Sequence, residues 1–190
     1  MPKISNKKET VLHVAFLRGV NVGGNRQVPM LQLKEVFEEL GFKNVRTVLA
    51  SGNVIFESAR SNSSALWNTR IKIEKKLKKT FGFEIGVHLR TMNQVVKMLH
   101  AKPFKNTKIT PETRLYVTFV QEGTKNKIKI PHISPDKSLQ ILKITGEEVL
   151  SILDLEKNGT ADAMNMLQKL FGKNITTRNW NTIVKLAVES

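Results

Sequence analysis

The stretch ETVLHVAFLR, residues 9–18, contains apolar side chains at both odd and even positions. In a β-strand, Val14 and Phe16 would lie on one face, and Ala15 and Leu17 on the other. A strand that is apolar on both faces belongs inside a sheet that is covered on both sides. We therefore predict that this stretch forms a buried strand, around which the first half of the fold is built.

A helix and a hairpin are predicted next along the chain. Pro29 suits the first position of a helix, and Gly41 suits its end. The following segment NVRTVLASGNVIFES, residues 44–58, contains two β-branched runs. Between them, residues 50–53 include Gly and Asn, which favour a turn. This segment therefore predicts a β-hairpin.

A long helix and a further strand complete the first half. Serines within residues 61–64 can cap the helix, and Gly82 can end it. The segment FEIGVHLR, residues 83–90, predicts the strand. The resulting order βαββαβ is that of the ferredoxin-like arrangement.

The second half loosely repeats this order. RLYVTFVQ, residues 114–121, is again apolar on both faces, whereas residues 124–130 are basic and ambiguous. A second hairpin is predicted to turn near Gly146, although residues 147–155 could also form a helix. Two final helices are predicted to begin at Thr160 and Thr177 as caps. We predict an α+β fold of two ferredoxin-like subdomains packed together, the second incomplete and ending in a helix pair.

The predicted domain organisation follows from these elements. Residues 1–9 read as a flexible tail, and residues 10–100 as the first ferredoxin-like subdomain. Residues 101–112, which contain two prolines, are predicted as a linker. Residues 113–190 then form the second subdomain with its C-terminal helices.

Composition limits the possible functions. The 190 residues include 31 Lys and Arg against 16 Asp and Glu, giving a net charge of +15. Such a charge favours polyanions or phosphorylated small molecules, although a lysine-rich surface also aids solubility. The absence of cysteine excludes disulfides, thiolate zinc sites and cysteine nucleophiles, and fits a reducing compartment. The apolar run VLHVAFL is too short to span a bilayer, so we expect a cytoplasmic protein without membrane attachment.

Three stretches together resemble a known family. FLRGVNVGGN at 16–25, SGNVIFES at 51–58 and TTRNWNT at 176–182 are similar to signatures of the uncharacterised bacterial family DUF1697. The resemblance implies a cytoplasmic α+β protein of two ferredoxin-like subdomains, and it implies no activity. One departure is GTADAMN at 159–165, where the resemblance would suggest a Ser-Lys-Leu-like opening of the penultimate helix.

The glycine-rich segment LRGVNVGGNRQVPM, residues 17–30, is a candidate anion site. It lacks the Gly-Lys-Ser/Thr ending of a Walker A loop and the glycine spacing of a dinucleotide-binding fingerprint. Adjacent glycines before a helix can nevertheless present backbone N–H groups to an anion, and Arg18 and Arg26 flank them. The alternative is a plain β-to-α connection whose glycines adopt positive φ.

Topology extends this candidate site. In a βαββαβ sheet, the first strand-to-helix loop and the turn of the central hairpin lie at the same end. As a hypothesis, the start of the last helix adds a third wall. The predicted ligand-binding residues are Arg18, Asn21, Gly23, Gly24, Ser51, Asn53, Arg178 and Asn179. Such a donor-rich lining without carboxylates suits a phosphate-containing small molecule and does not suit a metal, and we expect no cofactor. Alternatively, the same groups bond to one another and lock the subdomains together.

Two other functions remain open. A lysine stripe on the long helix could bind nucleic acid without sequence preference, or could be a solvated face; it comprises Lys72, Lys75, Lys76 and Lys79. A small enzyme acting on a phosphorylated or nucleotide substrate is also possible. However, the four histidines lack metal-ligand spacing and only three aspartates are present, so no catalytic residue is predicted.

Overall fold

The computed structural model describes residues 10–24, 26–59, 63–121, 123–124 and 128–189. Within these ranges the chain forms five α-helices and two antiparallel sheets, which confirms the predicted α+β class. The predicted tail, residues 1–9, lies outside them. Contacts divide the described chain into two compact units, which meet in sequence at Gln94 and Val95.

The first unit contains a four-stranded antiparallel sheet and two helices. Its elements are β1 (Thr10–Leu17), α1 (Met30–Glu39), β2 (Lys43–Val48), β3 (Asn53–Ala59), α2 (Ser63–Phe81) and β4 (Val87–Thr91). The strand order is β2-β3-β1-β4, so β1 lies between two neighbours. Its residues 14–17 are fully buried, as the apolar pattern predicts. The element and strand orders are compatible with a ferredoxin-like arrangement, which stays a prediction.

The core of the first unit lies between its sheet and its two helices. Leu33 and Phe37 of α1 and Leu77 of α2 contribute to it, and Phe56 of β3 is fully buried there. The ring centroids of Phe37 and Phe56 lie 5.2 Å apart in an edge-on arrangement. Pro29 is the N-cap of α1 rather than its first helical residue, because its ψ of 131° is extended.

The second unit contains a five-stranded antiparallel sheet. After α3 (Met92–His100), which crosses the boundary between the units, come β5 (Thr113–Phe119), β6 (His132–Ile133), β7 (Leu139–Thr145), β8 (Glu148–Asp154), α4 (Thr160–Phe171), β9 (Thr176–Asn179) and α5 (Trp180–Val188). The strand order is β6-β7-β8-β5-β9. The predicted hairpin at Gly146 is confirmed, and the helical alternative for residues 147–155 is wrong. Gly159, not Thr160, is the N-cap of α4.

The segment TTRN, residues 176–179, corrects the sequence interpretation. The sequence predicts the last helix here, with Thr177 as cap and Arg178 and Asn179 in the first turn. Instead the segment forms β9, which pairs with β5, and the hydroxyls of Thr118 and Thr177 lie 2.8 Å apart. Asn179 is the true N-cap of α5, because its side chain accepts a hydrogen bond from the Asn181 backbone N–H at 2.9 Å.

The predicted linker is part of the second unit. Residues 101–112 fall within its bounds, and Phe104 is only 6% exposed. The ring of Phe104 lies edge-on to Trp180 of α5, with centroids 5.1 Å apart. This segment therefore packs against the unit that follows it.

Candidate functional site

The β1–α1 loop and the β2–β3 turn lie side by side, as the topology predicts. The backbone N–H of Leu17 donates to the carbonyl of Gly52 at 2.8 Å. The side-chain amide of Asn21 donates to the carbonyl of Ala50 at 2.7 Å. Both stretches belong to the first unit, so their contact depends on that unit alone.

Asn21 uses its whole amide group to hold the loop. Besides its bond to Ala50, the Nδ2 atom donates to the carbonyl of Val28 at 3.0 Å. Its Oδ1 atom accepts the N–H of the same Val28 at 2.7 Å. The residue adopts a left-handed φ of 55°, a conformation that Asn tolerates better than most residues. These contacts make Asn21 a positioning residue for the loop.

Asn53 has a similar internal role. It is the first residue of β3 and fully buried, so its expected position within the turn is wrong. Its Nδ2 atom donates to the Val48 carbonyl at 2.8 Å and to the Ser51 hydroxyl at 3.0 Å. Leu49, with φ of 59°, and Gly52, with φ of 75°, supply the left-handed turn positions instead. The Asn53 amide thus braces the hairpin from inside.

The exposed part of the loop leads into α1. Gly23 and Gly24 have φ values of 63° and 76°, and a β-carbon on either would meet open space. A pocket of about 240 Å³ is lined by Gly24, Gln27, Pro29 and their neighbours Asn21 and Val28. The N-cap residue of α1, Pro29, makes no side-chain capping bond, and the first turn contains no acidic residue. The N–H groups of residues 30–32 therefore lack an intrahelical acceptor at this end.

Two arginines flank the loop. The guanidinium of Arg26 lies 5.7 Å from the ring centroid of Phe83. The backbone N–H of Arg18 donates to the Gly86 carbonyl at 2.8 Å, and its side chain is half-buried. No Asp or Glu occurs between residues 17 and 30. The loop thus combines two cations with backbone donors. Arg26 is a flanking charge that the predicted set of ligand-binding residues does not include.

Arg178 and Asn179 have contacts of their own in the second unit. Arg178 is 7% exposed, and its guanidinium donates to the Thr176 hydroxyl at 2.8 Å and the Thr177 carbonyl at 3.0 Å. Burial lowers the pKa of Arg178 to about 10, so the side chain stays charged at neutral pH. Asn179 caps α5. Both residues therefore contribute to the β9–α5 junction.

The predicted lysine stripe on α2 divides into two pairs. Lys76 forms an ion pair with Glu39, and the ammonium of Lys72 donates to the Leu40 carbonyl at 3.2 Å. Lys75 and Lys79 are exposed to solvent. Half of the stripe therefore connects α2 to the end of α1, and the other half faces outward.

Neither a metal cluster nor a membrane span occurs in the part of the chain that the structure describes. Among those residues, no group of three His, Cys, Asp or Glu side chains could hold a metal ion. None of their helices is long and apolar enough to cross a membrane.

The fold and this loop define an α+β protein of two units whose first strand–helix connection is rich in glycine and arginine. The chain matches the family described as "Protein of unknown function (DUF1697)" over residues 11–149, and it belongs to that family. No curated protein matches it. It is also similar to the solved structure of conserved bacterial protein SP0830 from Streptococcus pneumoniae, with 20% identity and a TM-score of 0.65. That alignment covers 95% of this chain and 98% of the other, and it supports the fold.

Proposed function

We propose that the β1–α1 loop binds a small anion that carries a phosphate group. The observation that carries this proposal is the uncapped start of α1 beside the pocket of about 240 Å³ at Gly24. A helix N-terminus attracts anions because its first N–H groups lack partners and its dipole is positive there. A phosphate in the pocket would take the place of the missing cap.

The charges around the pocket support an anion rather than a cation. Arg18 and Arg26 flank the loop, and no carboxylate occurs between residues 17 and 30. Arginine offers several N–H donors in a planar arrangement that suits phosphate oxygens. The net charge of +15 would also draw anions toward the surface.

The two asparagines support the site indirectly. Asn21 ties the loop to Val28 and Ala50, and Asn53 braces the adjoining turn. A loop that is already held in place loses little conformational entropy when a ligand binds. We therefore assign these residues to preorganisation and assign ligand contact to the glycine backbone, the helix start and the arginines.

The experiment compares Arg18→Gln with the wild type by thermal shift, in buffer free of phosphate and sulfate. Inorganic phosphate, nucleotides and sugar phosphates are titrated in turn. For at least one compound, we expect a saturable rise in the wild-type melting temperature that Arg18→Gln largely loses. Lys43→Gln, an exposed charge at the far end of β2 from the turn, is the matched control and should respond like the wild type.

The outcome without ligand separates binding from locking. If Arg18 serves binding, Arg18→Gln should unfold at nearly the wild-type temperature. If Arg18 instead locks buried groups, the variant should lose roughly 1–3 kcal/mol of stability. A wild type that responds to no compound, or an Arg18→Gln variant that responds equally, would overturn the proposal. Conversion of a bound compound, followed by phosphorus NMR, would extend the function from binding to catalysis.

A further inference from the structure

The second unit has a cleft of its own, formed on one face of its sheet. Leu139 and Ile141 of β7 point into the core beneath α4. Because side chains alternate along a strand, Gln140 lies on the opposite face, where it pairs in register with Ile152 of β8. These two residues belong to the floor of a cleft of about 530 Å³. This volume lies within the range of small-molecule binding sites.

The wall of the cleft is a segment that is anchored at both ends. Residues 103–110 form much of it, and Thr107, Lys108 and Thr110 line the cavity. The backbone N–H of Thr110 donates to the Thr113 hydroxyl at 3.0 Å, which attaches the segment to the start of β5. Phe104 fixes its other end by burial. The shape of the cleft is therefore set by the fold itself.

A tight turn presents a cation on the opposite rim. Lys137 lines the cleft and has a left-handed φ of 57°. The neighbouring Asp136 accepts hydrogen bonds from the hydroxyls of Ser134 and Ser138, and from the Asn158 side chain at 2.7 Å. These bonds hold the pKa of Asp136 well below its usual range, so the carboxylate stays ionised at neutral pH. The backbone N–H of Lys137 also donates to the Ser134 carbonyl at 2.8 Å, so the turn positions the Lys137 backbone at the rim.

Some of the charged residues that line the cleft form an ion pair with one another, and others are exposed. Lys157 forms an ion pair with Asp154 at 2.9 Å, and these two charges compensate one another. Lys108 and Lys137 are exposed, and Glu156 is the remaining acidic residue in the lining. Two cations thus stand against one carboxylate. The same lining includes Thr107, Gln140 and Ile152.

We propose that this cleft binds a small hydroxylated anion of the sugar phosphate type. Lys108 and Lys137 would hold the anionic group, and the Gln140 amide and the Thr107 hydroxyl would bond to ligand hydroxyls. Ile152 would contact the carbon skeleton. The proposal concerns residues of the second unit only, so it is independent of the loop site in the first unit.

The test is an amide NMR titration of the full chain with ribose 5-phosphate. We expect saturable shifts of the amides of Thr107, Gln140 and Ile152. Lys137→Gln should raise the Kd about tenfold, because a charge-assisted bond is lost. Gln140→Met, which keeps the side-chain volume, should raise the Kd by a similar factor. Lys173→Gln, an exposed lysine of the same unit outside the cleft, should bind like the wild type.

Control variants distinguish binding in this cleft from binding elsewhere on the protein. Arg18→Gln should leave the cleft shifts unchanged, which separates failure here from failure of the loop site. Because Lys137 is exposed, Lys137→Gln tests the cleft even if Gln140→Met unfolds. Absence of saturable cleft shifts in the wild type would overturn the proposal. So would equal weakening by Lys173→Gln, or inorganic phosphate alone binding as tightly as ribose 5-phosphate.

Discussion

Gly52 occupies a position in the β2–β3 turn where a β-carbon has no room. Its φ is +75°, and a β-carbon would lie 2.4 Å from Val20 Cγ2 and 3.0 Å from Leu17 Cβ. We expect Gly52→Ala to lower the free energy of unfolding by about 2–5 kcal/mol, measured by urea denaturation. Of this, about 1–2 kcal/mol comes from the left-handed backbone and about 1–3 kcal/mol from the collision.

Gly146 provides the matched control for this substitution. It also has a positive φ, of 56°, and lies in a hairpin turn, but a β-carbon there would meet open space. Gly146→Ala should therefore show only the backbone cost. If both variants lost the same free energy of unfolding, the close approach of Val20 and Leu17 would not be what excludes a side chain at position 52.

We expect the buried His13 to make the first unit less stable in acid. Its ring is 2% exposed, its Nδ1 donates to the Val11 carbonyl at 2.9 Å, and it stacks on Phe56. Desolvation lowers the pKa of His13 below its ordinary value of 6.5. The unfolded chain therefore binds this proton at a higher pH than the folded chain. Stability should fall as the pH drops below about 6.5, and this loss should end below the folded pKa.

The measurement is the free energy of unfolding between pH 7.5 and 5.5, for the wild type and His13→Phe. Phenylalanine keeps an aromatic ring against Phe56 and carries no titrating group. If only the unfolded chain binds this proton, with a pKa of 6.5, the wild type should lose at most about 1.4 kcal/mol more than the variant between pH 7.5 and 5.5. Parallel pH profiles would show that burial of His13 is not the cause.

Single residues also mark the limit of what the sequence predicts about the site. Topology correctly predicts the glycine loop beside the hairpin turn, because strand order determines which loops meet. The roles of Asn21 and Asn53 lie beyond such a prediction. Their partners include the backbone carbonyls of Val28, Ala50 and Val48, whose positions depend on the tertiary fold. An asparagine in the sequence indicates a side-chain amide donor, but it does not indicate which acceptor that amide will contact.

At the scale of elements, prediction succeeds where apolar patterns are long. β1 and β5 are apolar on both faces, and both lie in sheet interiors. β9 is missed because it has four residues, of which two are threonines that also suit a helix cap. Its strand character comes from pairing with β5. Comparison with the first half could have indicated β9. β4 also runs directly into a helix, and β4 and β9 each contain a buried arginine, Arg90 and Arg178 respectively.

The contact between Phe104 and Trp180 tests how firmly the predicted linker segment packs onto α5. Their rings lie edge-on with centroids 5.1 Å apart. In a double-mutant cycle of Phe104→Leu and Trp180→Leu, we expect a coupling energy of about 0.5–1.5 kcal/mol in urea unfolding. The control is a second cycle that combines Phe104→Leu with Leu33→Ala, a core substitution in the first unit. This pair has no ring contact, so its coupling energy should be near zero. A coupling near zero for the ring pair would contradict its contribution to stability.

At the scale of the whole molecule, charge is the dominant feature. The net charge of +15 belongs to a chain whose family assignment names no activity. A field of this size attracts polyanions regardless of any specific site. To distinguish nucleic-acid binding through α2 from attraction by the overall positive charge, variants with the same net charge must be compared.

Lys75 and Lys79 allow that separation. They are the outward-facing half of the predicted stripe, whereas Lys72 and Lys76 contact the end of α1. We expect the affinity for a single-stranded oligonucleotide to fall steeply with salt, as bound counterions are released. Changing Lys75 and Lys79 to Glu should weaken it further.

The control changes Lys129 and Lys173, exposed residues of the second unit, to Glu. Both double variants lower the net charge from +15 to +11, because each Lys→Glu substitution replaces a positive charge with a negative one. If the α2 stripe contacts the phosphate backbone, the first variant loses more affinity than the second, as measured by fluorescence anisotropy. Equal losses would assign the attraction to net charge alone, and affinity that ignores ionic strength would exclude an electrostatic interface on α2.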